Sequence, residues 1–289
     1  MRSVAVIGPH GQLGTDLVKG FRQSGWAVTA GGHDEVAVED RQSVEAFLTA
    51  NPVDVVVNTA AFHQVAVCET QIARSWAVNA DGARNIAEAA RQIGAIAVFV
   101  STDYVFDGEI DSGRSYPEDA GVCPVNVYGA SKAAGEAATR AASDRNLVVR
   151  ISSVFGSAGS SGKGGNFVET IVGKARAGEP LAVVDDVWMS PSYTVDVAAK
   201  VRTLLDAEAA GTFHACNDGR ITWHEFATEI ARQIGADVEI ARSATDFGSL
   251  PRRPRNSSLS TGRLSDLGIA QRPWSEALSA YLREQRYIT

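Results

Sequence analysis

The sequence predicts an α/β protein: a doubly wound parallel sheet of Rossmann type, with a smaller C-terminal α/β region. Three observations lead there. Short apolar, β-branched runs alternate with helical stretches through the first half of the chain, a glycine turn directly follows the first run, and the alternation falters after Ile151. Near-continuous hydrophobicity suits strands covered on both faces, and strand–helix alternation supplies the crossovers that parallel pairing needs.

The elements follow in order. "SVAVI" (3–7) is the first strand, and the turn after it opens a helix over 12–24. "WAVTA" (26–30), "VDVVVN" (53–58), "IAVFVS" (96–101) and "LVVRI" (147–151) are further strands, separated by helices over 41–50, 75–94 and 127–142. The Gly- and Ser-dense loop 155–166 marks a boundary and either caps a site or stays mobile. Helices near 166–177, 194–206, 222–234 and 274–285 follow, the third opened by Thr222 with Glu225 three residues on, a capping box. The expected organisation is a dinucleotide-binding domain over 1–152, joined by a return segment near 191–213, and a mainly substrate-binding region over 153–289.

Bulk properties exclude several function classes. A net charge of −7 over 289 residues leaves no basic surface for nucleic acid. The 3 cysteines, Cys68, Cys123 and Cys216, are far apart without CxxC spacing, and the 5 histidines show no metal-ligand spacing, so no disulfide framework and no metal site are expected. No run approaches the ~18 apolar residues of a membrane span, and the apolar start is too short for a signal-peptide core. A cytoplasmic protein is expected.

Gly8, Gly11 and Gly14 stand at GxxGxxG spacing between a strand and a helix. That spacing allows a tight turn, a backbone close enough to touch a pyrophosphate, and an anion facing a helix N-terminus. A dinucleotide is the expected ligand, against the alternative of turn geometry alone. The second strand ends in Gly31-Gly32-His33-Asp34 rather than in an immediate acid, which leans the choice to NADPH with His33 or a nearby Arg as phosphate contact. NADH stays open, because Asp34 is within reach of the ribose.

Tyr128 and Lys132 are four apart on a helix and so share a face. One reading is a solvated surface pair. The other is catalytic: a free phenol has a pKa near ~10, and an ammonium close by favours the phenolate. Ser101, Thr102 and Asp103 end the fourth strand at the carboxyl edge of the sheet, where such folds bind ligands and where a hydroxyl can hold a substrate carbonyl.

GxxGxxG, "NTAA" (58–61), "STDYVFDG" (101–108) and "VYGASKAAGE" together resemble the extended short-chain dehydrogenase/reductases, and within them the dTDP-4-dehydrorhamnose reductase family. "GGNFVETI" (164–171), "VVDDVWMSPSY" (183–193), "GTFHACNDGRITWHEFA" (211–227) and "RRPRNSSLS" (252–260) extend the likeness nearly end to end. The resemblance implies reduction of the 4-keto group of a nucleotide-linked 6-deoxysugar, dTDP-4-dehydro-L-rhamnose foremost, by a cytoplasmic enzyme that is dimeric by family expectation. Tyr128 would protonate the oxygen, Lys132 would hold the ribose and lower the tyrosine pKa, and Thr102 would orient the carbonyl. Gly8, Gly11, Gln12, Leu13 and Gly14 would cradle the diphosphate, with Ala61, Phe62 and His63 near the adenosine. Asp103 and Asn166 fall in blocks expected to meet the sugar nucleotide.

Two departures bear on the sugar. Ser153 stands where the family usually has Trp, and Ala66 where it has an acid, so another nucleotide keto-sugar is the second reading and Trp188 a candidate replacement face. A non-catalytic cofactor-binding subunit is the third. The Arg252, Arg253, Arg255 cluster reads as a diphosphate clamp centred on Arg253, or as solvated loop charge. Asp185-Asp186 reads as a turn after "LAVV" rather than a catalytic carboxylate pair.

Overall fold

The computed structural model describes residues 1–159 and 165–289; the middle of the Gly/Ser loop, 160–164, lies outside the described residues, and with it the question of whether that loop covers the site. Strands β1 (Ser3–Ile7), β2 (Ala27–Gly31), β3 (Val55–Asn58), β4 (Ile96–Thr102) and β5 (Leu147–Ile151) join Gly211–His214 in one six-stranded sheet. Its order is Gly211–His214, β5, β4, β3, β1, β2, with every pair parallel.

The alternation within each strand explains its continuous hydrophobicity. Val4 and Val6 of β1 pack into a core shared with Leu17 and Phe21 of helix α1 (Gln12–Gln23) and with Val197, Val201 and Leu204 of the helix Thr194–Asp206. Ala5 and Ile7 face the opposite core, with Val44 and Leu48 of Arg41–Ala50 and Ile86 and Ala90 of Gly82–Gln92. Side chains two apart face one layer and their neighbours face the other, so both faces favour apolar residues along the strands. Phe213 brings the last strand into the first of these cores, which is how the chain returns to the sheet after leaving it at Ile151.

Much of the rest of the chain builds a further core around Phe155, Tyr193, Phe226 and Tyr281. Short pairings frame it: Leu181–Val184 with Ile240–Ser243, Trp188–Met189 with Ile221–Thr222, and Val154–Phe155 with Ser192–Tyr193. The capping box at Thr222 is present, with Thr222 accepting from the Glu225 amide and Glu225 accepting from the Thr222 amide. Asp185 and Asp186 are structural: Asp185 accepts from the Thr222 hydroxyl at 2.6 Å, and Asp186 accepts from the amide and hydroxyl of Thr245.

One expected helix differs. The stretch 75–94 is not continuous but runs through Ile72–Trp76, a π-turn over Ala77–Asp81, and Gly82–Gln92. The wider turn accommodates Asn79, fully buried, whose amide accepts from the Phe62 N–H at 2.8 Å and donates to the Phe62 carbonyl at 3.0 Å. A side chain that satisfies another segment's backbone gives the π-turn its purpose.

Candidate active site

The carboxyl ends of β1 to β5 open into one cleft of about 860 Å³. Its floor at one end is the glycine turn. Gly8 has φ +82°, and a Cβ there would lie 2.7 Å from the Thr59 hydroxyl; at Gly14 a Cβ would lie 2.1 Å from the Gly8 carbonyl. Only glycine lets α1 approach the turn this closely. The N-cap of α1, Gly11, provides no side-chain acceptor, so the first-turn amides of the helix lack a capping partner. Among the described residues, Gln12 Oε1 is buried without a hydrogen-bond partner beside them. Free amides at a helix N-terminus and an orphaned amide oxygen fit the diphosphate and ribose of a dinucleotide.

The other end holds the reactive side chains. Asn126 caps the helix Val127–Ala142 by accepting from the Gly129 amide at 2.8 Å, and its own amide donates to the Arg252 carbonyl at 2.9 Å. A Cβ at Gly129 would lie 2.1 Å from the Tyr104 carbonyl, so the helix start is pressed against the segment after β4. This brings the Tyr128 phenol within hydrogen-bonding reach of the Thr102 hydroxyl, with Tyr104 edge-on to Tyr128 at 6.1 Å between ring centres. Lys132 lies one turn on, buried, its Nζ donating to the Val100 carbonyl at 2.6 Å and sitting 3.9 Å from the Phe99 ring centre.

The electrostatics differ from the expectation that Lys132 lowers the phenol. Burial pushes the Tyr128 hydroxyl well above its ordinary value, and the Thr102 hydroxyl opposes this. Burial lowers Lys132 to about 7, with Glu136 opposing. In the protein alone the ammonium is turned toward β4 and spends its hydrogen bond on a carbonyl, and desolvation outweighs any help it gives the phenol.

The cleft wall takes in Gly8, Gly11, Gln12, Leu13, Gly14, His33, Ala61, His63, Thr102, Asp103, Tyr128, Lys132, Ser153 and Asn166, from segments up to 158 residues apart (8 to 166). It does not take in three expected residues. Phe62 turns its ring under the Arg74 guanidinium, Trp188 lies under that of Arg220 at 4.8 Å, and the exposed Arg253 reaches the Tyr104 phenol rather than the cleft. Two others reach the wall with their polar atoms engaged. Asn166 caps the helix Phe167–Arg176 and donates to Gly156, and both Asp103 carboxyl oxygens are hydrogen-bonded to hydroxyls. Ser153 is held at φ +44°, a left-handed conformation rare for a residue with a Cβ.

Sequence reasoning missed His10, Thr170 and an aromatic ledge of Phe167, Trp223 and Phe226. Phe167 and Trp223 meet edge to face at 4.6 Å. Nothing in the chain separates these aromatics from core residues until the second region folds over the glycine turn. Asn79 was not distinguishable in the sequence from the other polar residues of its helical stretch; it ties the loop after β3 to the Tyr128 helix by donating to Ser131 at 3.0 Å.

Comparison with known proteins places the chain in a family. A family model described as the RmlD substrate binding domain matches residues 1–287. The chain belongs to the dTDP-4-dehydrorhamnose reductase family. Family relatives include a dTDP-4-dehydrorhamnose reductase of Streptomyces griseus, 36% identical over 95% of this chain and 91% of its own. The spore coat polysaccharide biosynthesis protein SpsK of Bacillus subtilis is 37% identical over 99% of this chain and 98% of its own. Among solved structures, a dTDP-4-dehydrorhamnose reductase from Bacillus anthracis in complex with NADP superposes with a TM-score of 0.91 at 30% identity, covering 98% of this chain and 100% of that one.

Proposed function

We propose that this protein is a cytoplasmic NADPH-dependent reductase of the 4-keto group of a nucleotide-linked 6-deoxysugar, with dTDP-4-dehydro-L-rhamnose as substrate and NADH as a second reductant. The observation that carries this reading is the convergence of Tyr128, Thr102 and Lys132 in the same cleft as the glycine turn. The nicotinamide cofactor, when bound, supplies hydride to the carbonyl carbon. Gly8, Gly11, Gln12, Leu13 and Gly14 hold its diphosphate, His33 lies at the adenosine end, and Lys132 holds its ribose. Tyr128 gives the proton from its hydroxyl to the carbonyl oxygen, and Thr102 fixes the phenol in position. The raised phenol keeps Tyr128 protonated until the oxygen develops charge, which suits a proton donor. The region 153–289, apart from its return to the sheet, supplies the sugar nucleotide's side of the cleft through Ser153, Asn166 and the aromatic ledge.

The test follows NADPH absorbance with purified protein and dTDP-4-dehydro-L-rhamnose. Turnover is expected, and Tyr128→Phe should lose at least ~100-fold in kcat while keeping cofactor affinity. Tight cofactor binding without turnover would remove this sugar and turn attention to other nucleotide keto-sugars.

A further inference from the structure

Asp103 is buried at the end of β4, and among the described residues no charged group stands with the partners that set its ionisation. Its two oxygens are inequivalent. Oδ2 accepts from the hydroxyls of Ser152 at 2.8 Å and Ser257 at 2.6 Å, whereas Oδ1 meets only the Thr102 hydroxyl, at 3.0 Å. Thr102 Oγ1 also accepts from the Tyr104 amide at 3.2 Å and meets the Tyr128 phenol.

A threonine hydroxyl has one hydrogen and two lone pairs, so these three contacts admit two arrangements. The Tyr104 amide takes one lone pair in both. With Asp103 ionised, Thr102 gives its hydrogen to Oδ1, and its remaining lone pair draws the Tyr128 hydrogen toward Thr102 and away from any substrate. With Asp103 protonated at Oδ1, Asp103 donates to Thr102, Thr102 donates to the Tyr128 oxygen, and the Tyr128 hydrogen is free to point into the cleft. Only the second arrangement suits a phenol that must protonate a carbonyl oxygen, and it leaves Thr102 donating to the phenolate that remains.

We propose that Asp103 is a positioning residue that works as a neutral carboxylic acid, donating from Oδ1 to Thr102 and so setting the direction of the Thr102 and Tyr128 hydroxyls. This rests on the reductase reading above. Asp103 keeps its proton throughout. Burial pushes its carboxyl above the usual carboxylate range, opposed by the three hydroxyls. The titratable groups facing it are the phenols of Tyr104 and Tyr128, Tyr104 in turn meeting Arg253; Lys132 is occupied with Val100 and has Glu136 as its charged neighbour. Burial, and the lack of a cation against Asp103 among the described residues, both favour the neutral form.

Asp103→Asn separates the possibilities, because an amide mimics the neutral acid: its NH₂ donates to Thr102 while its oxygen accepts from Ser152 and Ser257. Asp103→Asn should keep kcat within about threefold of the parent, and Asp103→Leu should lose about 30-fold or more. As pH rises, the parent should lose kcat when Asp103 ionises, and Asp103→Asn should hold its activity to higher pH. Infrared difference spectra of parent against Asp103→Asn should show the carbonyl band of a buried carboxylic acid in the parent. A ~100-fold loss in a folded Asp103→Asn, an unchanged pH profile, or an ionised carboxylate at assay pH would overturn the assignment. If the protein reduces no 4-keto sugar, the infrared band still decides the state of Asp103.

Discussion

At the scale of single residues, the site holds groups that stability alone would not retain. Lys132 is the clearest. It is 2% exposed, packed on Phe99, and lowered to about 7 by its own burial. Such a lysine binds its proton more weakly in the folded than in the unfolded chain. Between about pH 7 and its ordinary value near ~10.4 the unfolded chain therefore holds the extra proton, and this group makes stability rise with pH across that window. Lys132→Met should unfold later than the parent at neutral pH, by roughly 1–3 kcal/mol, while losing reductase activity. The gain should shrink toward pH ~10, where the lysine loses its proton in the unfolded chain as well as in the folded one. Urea unfolding of both proteins at neutral and alkaline pH checks this; a variant less stable at both would show that the Val100 hydrogen bond outweighs the desolvation.

At the scale of elements, the strand–turn–helix at the N-terminus is the part most legible in the sequence, and the reason is steric. Gly14 of α1 would place a Cβ 2.1 Å from the Gly8 carbonyl, whereas Gly20, two turns later, would place one 4.0 Å from the Ala198 side chain, an ordinary contact. Gly14→Ala should therefore push α1 off the turn and weaken NADPH binding by about 100-fold or more, read by titration of cofactor fluorescence. Gly20→Ala should bind normally and gain about 0.5–1 kcal/mol in stability. Equal affinity for Gly14→Ala would mean that the turn relaxes without cost. The five strands before Ile151 were readable to within two residues because each side faces an apolar layer. The π-turn at Ala77–Asp81 was not, since it answers to the Phe62 backbone, which only the tertiary fold brings near. Arg253 and Trp188 looked like ligand contacts for the same reason in reverse: a cation or an indole is visible in a sequence, but which side of the loop it leaves by is not. The aromatic ledge stayed hidden because Phe167 and Trp223 are 56 residues apart in the chain (167 to 223) and resemble core positions.

At the scale of the whole molecule, a buried ionic network joins the sheet, the Tyr128 helix and the returning strand. Arg150 of β5, 3% exposed, makes a two-pronged contact to Glu136, with Nε and Nη2 each at 2.8 Å from a carboxylate oxygen. Its Nη1 reaches the Glu118 carbonyl and His214 Nε2, both at 3.3 Å, while His214 Nδ1 pairs with the Ser260 carbonyl at 2.9 Å. That pairing makes Nδ1 the donor and Nε2 the acceptor. Burial, with Arg150 adding to it, lowers His214 to about 3, so the imidazole stays neutral and the buried full charges are those of Arg150 and Glu136, with the half-exposed Arg140 also reaching Glu136. Below the ordinary histidine value near ~6.5 the unfolded chain takes up a proton that the folded one refuses, so stability falls as pH drops from there toward about 3. Breaking the pair from one side should be costly. Arg150→Met leaves Glu136 buried beside only the half-exposed Arg140, 3.2 Å away, and is expected to lose about 3–5 kcal/mol. Removing both charges, in Arg150→Met with Glu136→Leu, should recover much of that loss, because two apolar side chains are not left unpaired in a low dielectric. Chemical unfolding of parent, single and double variants decides the matter. A double variant as unstable as Arg150→Met would show that the contacts of Arg150 to Glu118 and His214, rather than the charge pair, hold the last strand to the sheet.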